Sequence, residues 1–401
     1  MNVFFREWDR RAPGAARDLG RARELAAVLD VLAPGAPVLT VVGSKGKGTA
    51  ATYASAFLAA AGLRVCTVTS PGLRSDRERI RVDGRAVSEA ELAGLASVLD
   101  EAAAVLPPPA PDGYLSPSGL FTIAGVVHAR HAGADAIVLE AGMGGRSDEV
   151  SLFPPSVVAI TPIFLEHGGV LGDTPAEIAE EKRGVATAST TVLSAPQSAE
   201  VTAVLEGVER VEAGGSGLAA DLLPAGLGRG SAELGVAAAR RLPGVAEPAD
   251  GPLRAVLASV VLPGRLSWHG VPGSATRLLV DSAVDRTGIA AALAAALRAW
   301  DAIDHVAVCL PDHKDLDGAI AELDGLPVTF VRLPQPRLRF TRPLPPGWDA
   351  VASDAVTPAF LSALGRRVVV LGTVYFTGLV LDVVGAETER LFVTSAARRP
   401  S

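Results

Sequence analysis

Val38-Leu-Thr-Val-Val-Gly43-Ser44-Lys-Gly46-Lys47-Gly48-Thr49 sets a β-branched apolar run against a glycine-rich turn that carries lysine and enters an alanine-rich segment. Residues 38–42 read as a buried parallel strand. Residues 49–61, with Phe57 and Leu58 and no breaker, read as the helix that follows. Strand, loop and helix in that order suit a polyanion. The glycines let consecutive backbone N–H groups point inward, the helix start adds positive potential, and Lys47 supplies a mobile charge for outer phosphates. Gly43, Ser44, Gly46, Lys47, Gly48 and Thr49 are therefore the candidate phosphate-binding positions. The pattern departs from the usual loop, because Gly48 separates Lys47 from the Thr49 hydroxyl and Val41 stands at the first glycine position. Taken alone, a glycine-rich strand-to-helix connection is also compatible with a plain tight turn.

The rest of the chain bounds what such a loop can serve. Its 401 residues exceed one ordinary core and predict two domains, with 49% hydrophobic residues to fill them. No apolar run reaches the length of a membrane span, and the opening Met-Asn-Val-Phe-Phe-Arg-Glu-Trp lacks a signal-peptide profile, which predicts a cytoplasmic protein. A formal net charge of −7 leaves no footprint for nucleic acid or an anionic membrane, and 4% aromatic residues provide few stacking platforms. Cys66 and Cys309 lie far apart in apolar segments and are expected to be small buried hydrophobes.

Apolar strand-like runs at 38–42, 65–69, 136–139, 157–161, 278–281, 306–310, 328–333 and 368–371 alternate with helix-like stretches, which predicts α/β architecture with mostly parallel sheets. Residues 198–262 are rich in Ala, Gly and Leu, and the turn-rich connector at 270–274 marks the expected junction. The expected domains are 1–272, carrying the phosphate loop, and 273–401, a smaller Rossmann-like unit.

Further chemistry is expected at strand ends. Ile137-Val-Leu-Glu140 runs into Ala141-Gly-Met-Gly-Gly-Arg-Ser-Asp148, which puts a carboxylate at the carboxyl end of a buried strand, where ligands collect in open α/β sheets. Beside a phosphate loop, Glu140 suits Mg²⁺, a hard cation that takes carboxylate, phosphate and water oxygens. A strand-end carboxylate that caps the next turn is the competing reading. After the fourth run come Thr161-Pro-Ile-Phe-Leu-Glu166-His167 and then Ile178-Ala-Glu-Glu181-Lys182-Arg183-Gly184. Singly, His167 and Lys182 would be an ordinary surface histidine and a solvated lysine.

Together these stretches resemble the folylpolyglutamate synthase/dihydrofolate synthase family, a branch of the Mur-ligase-like ATP-dependent amide ligases. The resemblance runs through Leu19-Gly-Arg-Ala-Arg, Ser44-Lys-Gly-Lys-Gly-Thr49, Thr69-Ser70-Pro71, Glu78-Arg-Ile-Arg-Val-Asp-Gly84, Glu140-Ala-Gly-Met-Gly-Gly-Arg146, His167, Glu181-Lys182-Arg-Gly184, Pro263-Gly-Arg265 and Gly372-Thr-Val-Tyr375, in family order and spacing. It implies a P-loop central domain with a Rossmann-like carboxy-terminal domain. It also implies ATP on Lys47 and the loop amides, with Arg265 and Asp281 on the nucleotide. Mg²⁺ would be held by Ser70, Glu140 and His167, and Lys182 would be carbamylated. The implied reaction activates a substrate carboxylate as an acyl phosphate and joins it to an amino acid, folate and glutamate being the family's pair. Lys47, Lys182 and His167 would serve catalysis, in a monomer.

Departures from the family pattern cluster on the base and folate sides. Lys45 replaces a loop asparagine, Gly72 replaces a histidine, and Ser118-Gly119 stands where Phe-Glu is usual. Residues 228–235 lack the histidine, glutamine and asparagine expected at the base, with Leu234 near the asparagine position. Asp281-Ser-Ala-Val-Asp-Arg286 replaces Asp-Gly-Ala-His-Asn-Pro. These departures leave open a catalytically degenerate relative, a ligase for a non-folate substrate, or a hydrolase or kinase on the same loop.

Overall fold

A computed structural model describes residues 2–166, 168–335 and 338–394. The chain divides into two compact units, one of Met1–Pro224, Gly228–Val260 and the segment from Glu389, the other of Ala225–Leu227 and Val261–Thr388. Each has its own sheet.

In the first unit the large sheet contains β1 (Val38–Val42), β2 (Val65–Val68), β3 (Ile80–Val82), β4 (Arg85–Ala86), β5 (Ala136–Glu140), β6 (Val157–Ile160), β7 (Thr191–Ser194) and β8 (Glu209–Arg210). Their spatial order is β8-β7-β6-β1-β5-β2-β3-β4. Every residue of β1 is buried, and it lies parallel between β5 and β6, with Val41 opposite Glu140 and Val42 opposite Ile160. Such two-sided burial is what a continuous Val/Leu run requires. Parallel register also brings the carboxyl ends of β1, β2, β5 and β6 to one edge, so the phosphate-loop candidate, Ser70, Glu140 and the 161–166 loop follow neighbouring strands. The short antiparallel pairs β2–β3 and β3–β4 carry no alternating signal strong enough to read in the sequence.

Helices α1 (Lys47–Ala60), α2 (Glu89–Ala104), α3 (Pro117–His131), α4 (Pro175–Arg183) and α5 (Gly228–Arg240) flank this sheet. Capping boxes fix two of their starts, Ser88 with Glu91 on α2 and Thr174 with Glu177 on α4, the latter followed by Pro175 at the first helical position. α1 is buried on nearly all sides, and its alanines allow α5 to approach closely. A Cβ placed on Gly235 would lie 2.2 Å from the Ala50 carbonyl oxygen. That crossing needs glycine.

The second unit holds β9 (Ser267–Gly270), β10 (Arg277–Asp281), β11 (His305–Cys309), β12 (Val328–Arg332), β13 (Asp349–Ala352) and β14 (Arg367–Gly372) in the order β9-β10-β14-β11-β12-β13. All pairs except β9–β10 are parallel. Residues 261–272, placed before the junction in the sequence reading, thus pack with the second unit through edge strand β9, and the chain from Glu389 returns to the first. The α/β expectation with mostly parallel sheets is borne out. Cys66 and Cys309 are both buried and free, and burial pushes each thiol up to about 12. Among the described residues no helix is long and apolar enough to cross a membrane.

Replacing Gly235 by Ala is expected to lower stability by about 1–3 kcal/mol, the usual cost of overpacking a tight contact. Chemical denaturation of the variant beside the parent protein measures this directly.

Candidate active site

The phosphate-loop candidate is shaped by two glycines that accept no side chain. Gly43 has φ 135° and a Cβ there would come within 2.0 Å of Thr161 Oγ1; Gly46 has φ 85° and its Cβ would come within 2.0 Å of Ser231 Oγ. Both are in the conformational region that disfavours L side chains. The loop is tied to the strand-end segment beside it: Ser44 N–H donates to the Pro162 carbonyl (3.0 Å), and Ser44 Oγ donates to the Phe164 carbonyl (3.2 Å). α1 then starts at Lys47, so the amides of Lys47, Gly48 and Thr49 fall in its first turn, where backbone donors have no intrahelical acceptor. Thr49 itself is buried.

Two lysines from distant parts of the chain converge on this loop. Lys47 Nζ donates to the Gly43 carbonyl at 2.9 Å, and Lys182 Nζ, from α4, donates to the same oxygen at 3.0 Å. Lys182 is 1% exposed and ion-paired with Glu166 at 2.9 Å. Burial, reinforced by the Lys47 charge, lowers the Lys182 ammonium below the usual lysine range despite the opposing pull of Glu166. For Glu166, burial acts to raise the carboxyl, but Lys182 and then Lys47 outweigh it and hold the group below the ordinary glutamate range. Glu166 thereby joins the site, which sequence reading quoted without assigning it a role; its adjacency to a charged loop was the available signal.

On the opposite flank Glu140 ends β5 with its carboxylate against α1, its Oε2 lying 3.6 Å from where a Cβ on Gly48 would be. Ser70 N–H donates to Glu140 Oε2 at 3.1 Å, and Arg79 Nη1 donates to Ser70 Oγ at 3.1 Å. Arg79 is a second addition to the expected set. His167 lies outside the described residues. Among those described, no group of three or more His, Cys, Asp or Glu side chains is arranged to hold a metal ion.

The loop after Glu140 is clamped from two sides. Asp148 Oδ2 accepts from Met143 N–H (2.9 Å) and from Arg17 Nη1 (2.9 Å). Glu181 Oε1 accepts from Gly145 N–H (3.2 Å), Ser147 N–H (2.8 Å) and Ser147 Oγ (2.6 Å), which ties the loop to the helix carrying Lys182. Arg17 also reaches buried Glu149 at 3.4 Å, and Ser116 Oγ donates to Glu149 Oε1 at 2.6 Å. A Cβ on Gly119 would meet the Glu149 carboxyl carbon at 2.2 Å, so the glycine at this position makes the room that the carboxylate fills. Burial and the Asp148 charge push Glu149 up to about 7, with Arg17 and Ser116 opposing.

The other two expected positions stand together in the second unit. Asp281, at the end of β10, accepts from Leu266 N–H at 2.7 Å, and Ser282 N–H donates to the Gly264 carbonyl at 2.9 Å, so the Pro263-Gly-Arg265 turn is pinned to that strand end. Arg265 Nη1 donates to the Gly264 carbonyl. Leu234, near the position of the missing asparagine, is buried in α5.

No protein-family model matches the chain. The Mycobacterium tuberculosis folylpolyglutamate synthase solved with ADP superposes with a TM-score of 0.78 at 23% identity, over 96% of this chain and 99% of that one. The Escherichia coli FolC solved with DHPP and ADP gives 0.76 at 22% identity, over 96% of each chain. The fold is that of the folylpolyglutamate synthases. In sequence, the chain is 39% identical over 175 residues to a probable bifunctional folylpolyglutamate synthase/dihydropteroate synthase of Haloferax volcanii, covering 43% of this chain and 20% of that protein. It is 35% identical over 171 residues to the Escherichia coli dihydrofolate synthase/folylpolyglutamate synthase, covering 42% and 39%. The matched stretch thus spans less than half the length of these curated relatives. The resemblance carried by the motifs is borne out at that level.

The sign of the Glu149 shift gives a test. A carboxyl whose folded pKa is raised contributes stability that is complete below its unfolded pKa, near 4.3, and is lost as pH rises through about 7. The parent protein should lose unfolding free energy between about pH 4 and 7 relative to Glu149→Gln, whose profile should be flatter. Parallel profiles in urea denaturation across that window would contradict the assignment.

Proposed function

We propose that the protein is an ATP-dependent amide ligase, similar to folylpolyglutamate and dihydrofolate synthases, that activates a substrate carboxylate as an acyl phosphate and couples it to an amino acid. The observation that carries this reading is the meeting of Lys47 and Lys182 at the Gly43 carbonyl, beside a helix start that faces Glu140. The names of the relatives support a folate-type carboxylate and glutamate as the pair to be joined. A monomer working in the cytoplasm completes the proposal.

In this reading Gly43, Ser44, Gly46, Gly48 and Thr49 shape the cradle for ATP phosphates and Lys47 neutralises the transferring group, with Arg265 and Asp281 as the other nucleotide-binding positions. The γ-phosphoryl group passes to the substrate carboxylate, ADP leaves, and the amine then displaces phosphate from the acyl carbon. Catalysis of this kind rests on positioning and charge stabilisation, not on a covalent enzyme intermediate.

The donor set present fits magnesium in part. Glu140 offers a carboxylate toward the helix start, Ser70 adjoins it through its backbone N–H and has a hydroxyl lone pair beyond the one Arg79 uses, and His167 is the remaining family position. Bound there, Mg²⁺ would neutralise charge on the phosphoryl oxygens. Carbamylation of Lys182 is favoured by its lowered pKa, since the neutral amine is the form that reacts with CO₂. It would also place a second anion beside Glu166, now 2.9 Å from Nζ.

ADP release in the presence of ATP, Mg²⁺, a reduced folate or pteroate and glutamate tests the reading. Lys47→Ala should lower turnover by ~10²–10³-fold, the usual loss for a charge-stabilising group, and should remove ATP binding in a calorimetric titration. Lys182→Ala should be inactive and partly rescued by a small added carboxylate such as acetate. Full activity of Lys182→Ala without additive would remove the carbamate, and absence of ATP binding to the parent at millimolar concentration would remove the ligase.

A further inference from the structure

Away from the phosphate loop, a cavity of ≈ 860 Å³ opens among α2, α3 and the β3–β4 edge of the first unit. That volume lies in the range of small-molecule sites. Basic side chains from three separate elements line it: Arg64 from the turn before β2, Arg85 on β4, and His128 and His131 in the last turn of α3. Leu95 and Val98 of α2 provide an apolar wall. Histidines at a helix C-terminus need no ligand to explain them, because they complement the helix dipole. The two arginines belong to other elements, and no dipole argument brings them here.

The side chains themselves are short of partners. Arg64 spends one donor on the Ala132 carbonyl (2.8 Å) and keeps the rest of its guanidinium. His128 is 9% exposed and lines the cavity, and its ring makes no hydrogen bond among the described residues. Burial lowers the imidazole, and the charge of Glu91, which the ring faces, opposes that lowering. Glu91 also borders the space, but its carboxylate is occupied by Ser88 N–H (2.7 Å) and Ser88 Oγ (2.8 Å), which close the capping box of α2. Asp135 and Asp83 are likewise engaged nearby, by the backbone N–H groups of Arg64 and Val65. Against the Glu91 carboxylate, whose charge also acts on Arg85 and His128, the cavity wall sets two guanidinium groups and two imidazoles.

We propose that this cavity is a second binding site, for a small organic anion whose carboxylate or phosphate oxygens are held by Arg64, Arg85 and the two histidines while its apolar body rests on Leu95 and Val98. The site is separate in residues from the one around Lys47 and does not depend on the ligase reading.

Phenyl phosphate and benzoate are suitable probes, each joining an anionic head to an apolar ring, and the full chain can be titrated with them by calorimetry. To keep the phosphate loop out of the measurement, the titrations are repeated in Lys47→Ala. Saturable binding of either probe should persist in Lys47→Ala and weaken at least tenfold on adding Arg85→Ala, the loss expected for a charge-assisted contact. Arg85 is exposed, so its removal should leave the thermal midpoint unchanged. His128→Asn serves as the second variant and should weaken the same probe. Inorganic phosphate, which lacks the ring, should bind more weakly than phenyl phosphate. No binding of either probe, binding that disappears in Lys47→Ala, or binding indifferent to both Arg85→Ala and His128→Asn would overturn the proposal.

Discussion

A buried ammonium is the constraint around which the first unit's site is arranged. Lys182 is almost wholly out of water, and an uncompensated charge there would cost several kcal/mol. Its compensation comes from two places at once, the Glu166 carboxylate and the Gly43 carbonyl, so α4, the 161–166 loop and the turn after β1 must all be in register. The Gly43 oxygen also takes the Lys47 ammonium, which sets two positive groups at one acceptor. Glu166 offsets one of these charges, and the start of α1 adds positive potential of its own. The proposal of a polyanionic substrate is thus supported by the Lys47 charge and the helix start as well as by the glycines.

The loop after β5 shows how such a site is kept rigid with few side chains. Asp148 and Glu181 between them accept from three backbone amides of residues 143–147, and Glu181 is the immediate neighbour of Lys182. Position of the loop and position of the lysine are thus one structural variable. Arg17, reaching Asp148 and Glu149 from the small two-stranded sheet that pairs Ala16–Arg17 with Gly113–Tyr114, links the amino-terminal segment to the same loop. Partly satisfied buried charge networks are unstable, which is why Glu149, with one arginine shared between two carboxylates, is the member whose proton is easiest to keep.

Much of this was legible in the sequence, for physical reasons that differ by element. Strand β1 and its following helix were readable because both faces of the strand and most of the helix are buried, so composition alone marked them. Four strands of the second sheet, β10, β11, β12 and β14, are legible to within a residue or two at each end, since Val-rich parallel strands bounded by helices leave a strong apolar signal, whereas β13 (Asp349–Ala352), mostly exposed at the sheet edge, is not. Strand β9 was missed: Ser267-Trp-His-Gly270 is an edge strand with alternating exposure and only four residues, too short for a period to declare itself. In the site, residues tied to a glycine loop or a strand end declare themselves in the sequence, whereas Glu166 and Arg79 do not, because their roles arise from partners 16 and 9 positions away. The Arg17 link across more than 130 positions had no sequence signal at all.

The departures on the base side have a structural counterpart that narrows their meaning. Gly235 lies in the interface between α5 and α1, where it meets the Ala50 carbonyl, and Leu234 beside it is fully buried. Their identities are dictated by helix packing, so they are not free to report on a nucleotide base. Under the ligase proposal, each lost polar contact to adenine weakens binding by about 1–3 kcal/mol. Such contacts are equal in the ground and transition states and govern affinity more than turnover. The phosphate-side groups act where charge moves. A chain can therefore let the base side drift and keep the chemistry, provided Lys47, Lys182 and Glu140 stay in the arrangement that Gly43 enforces.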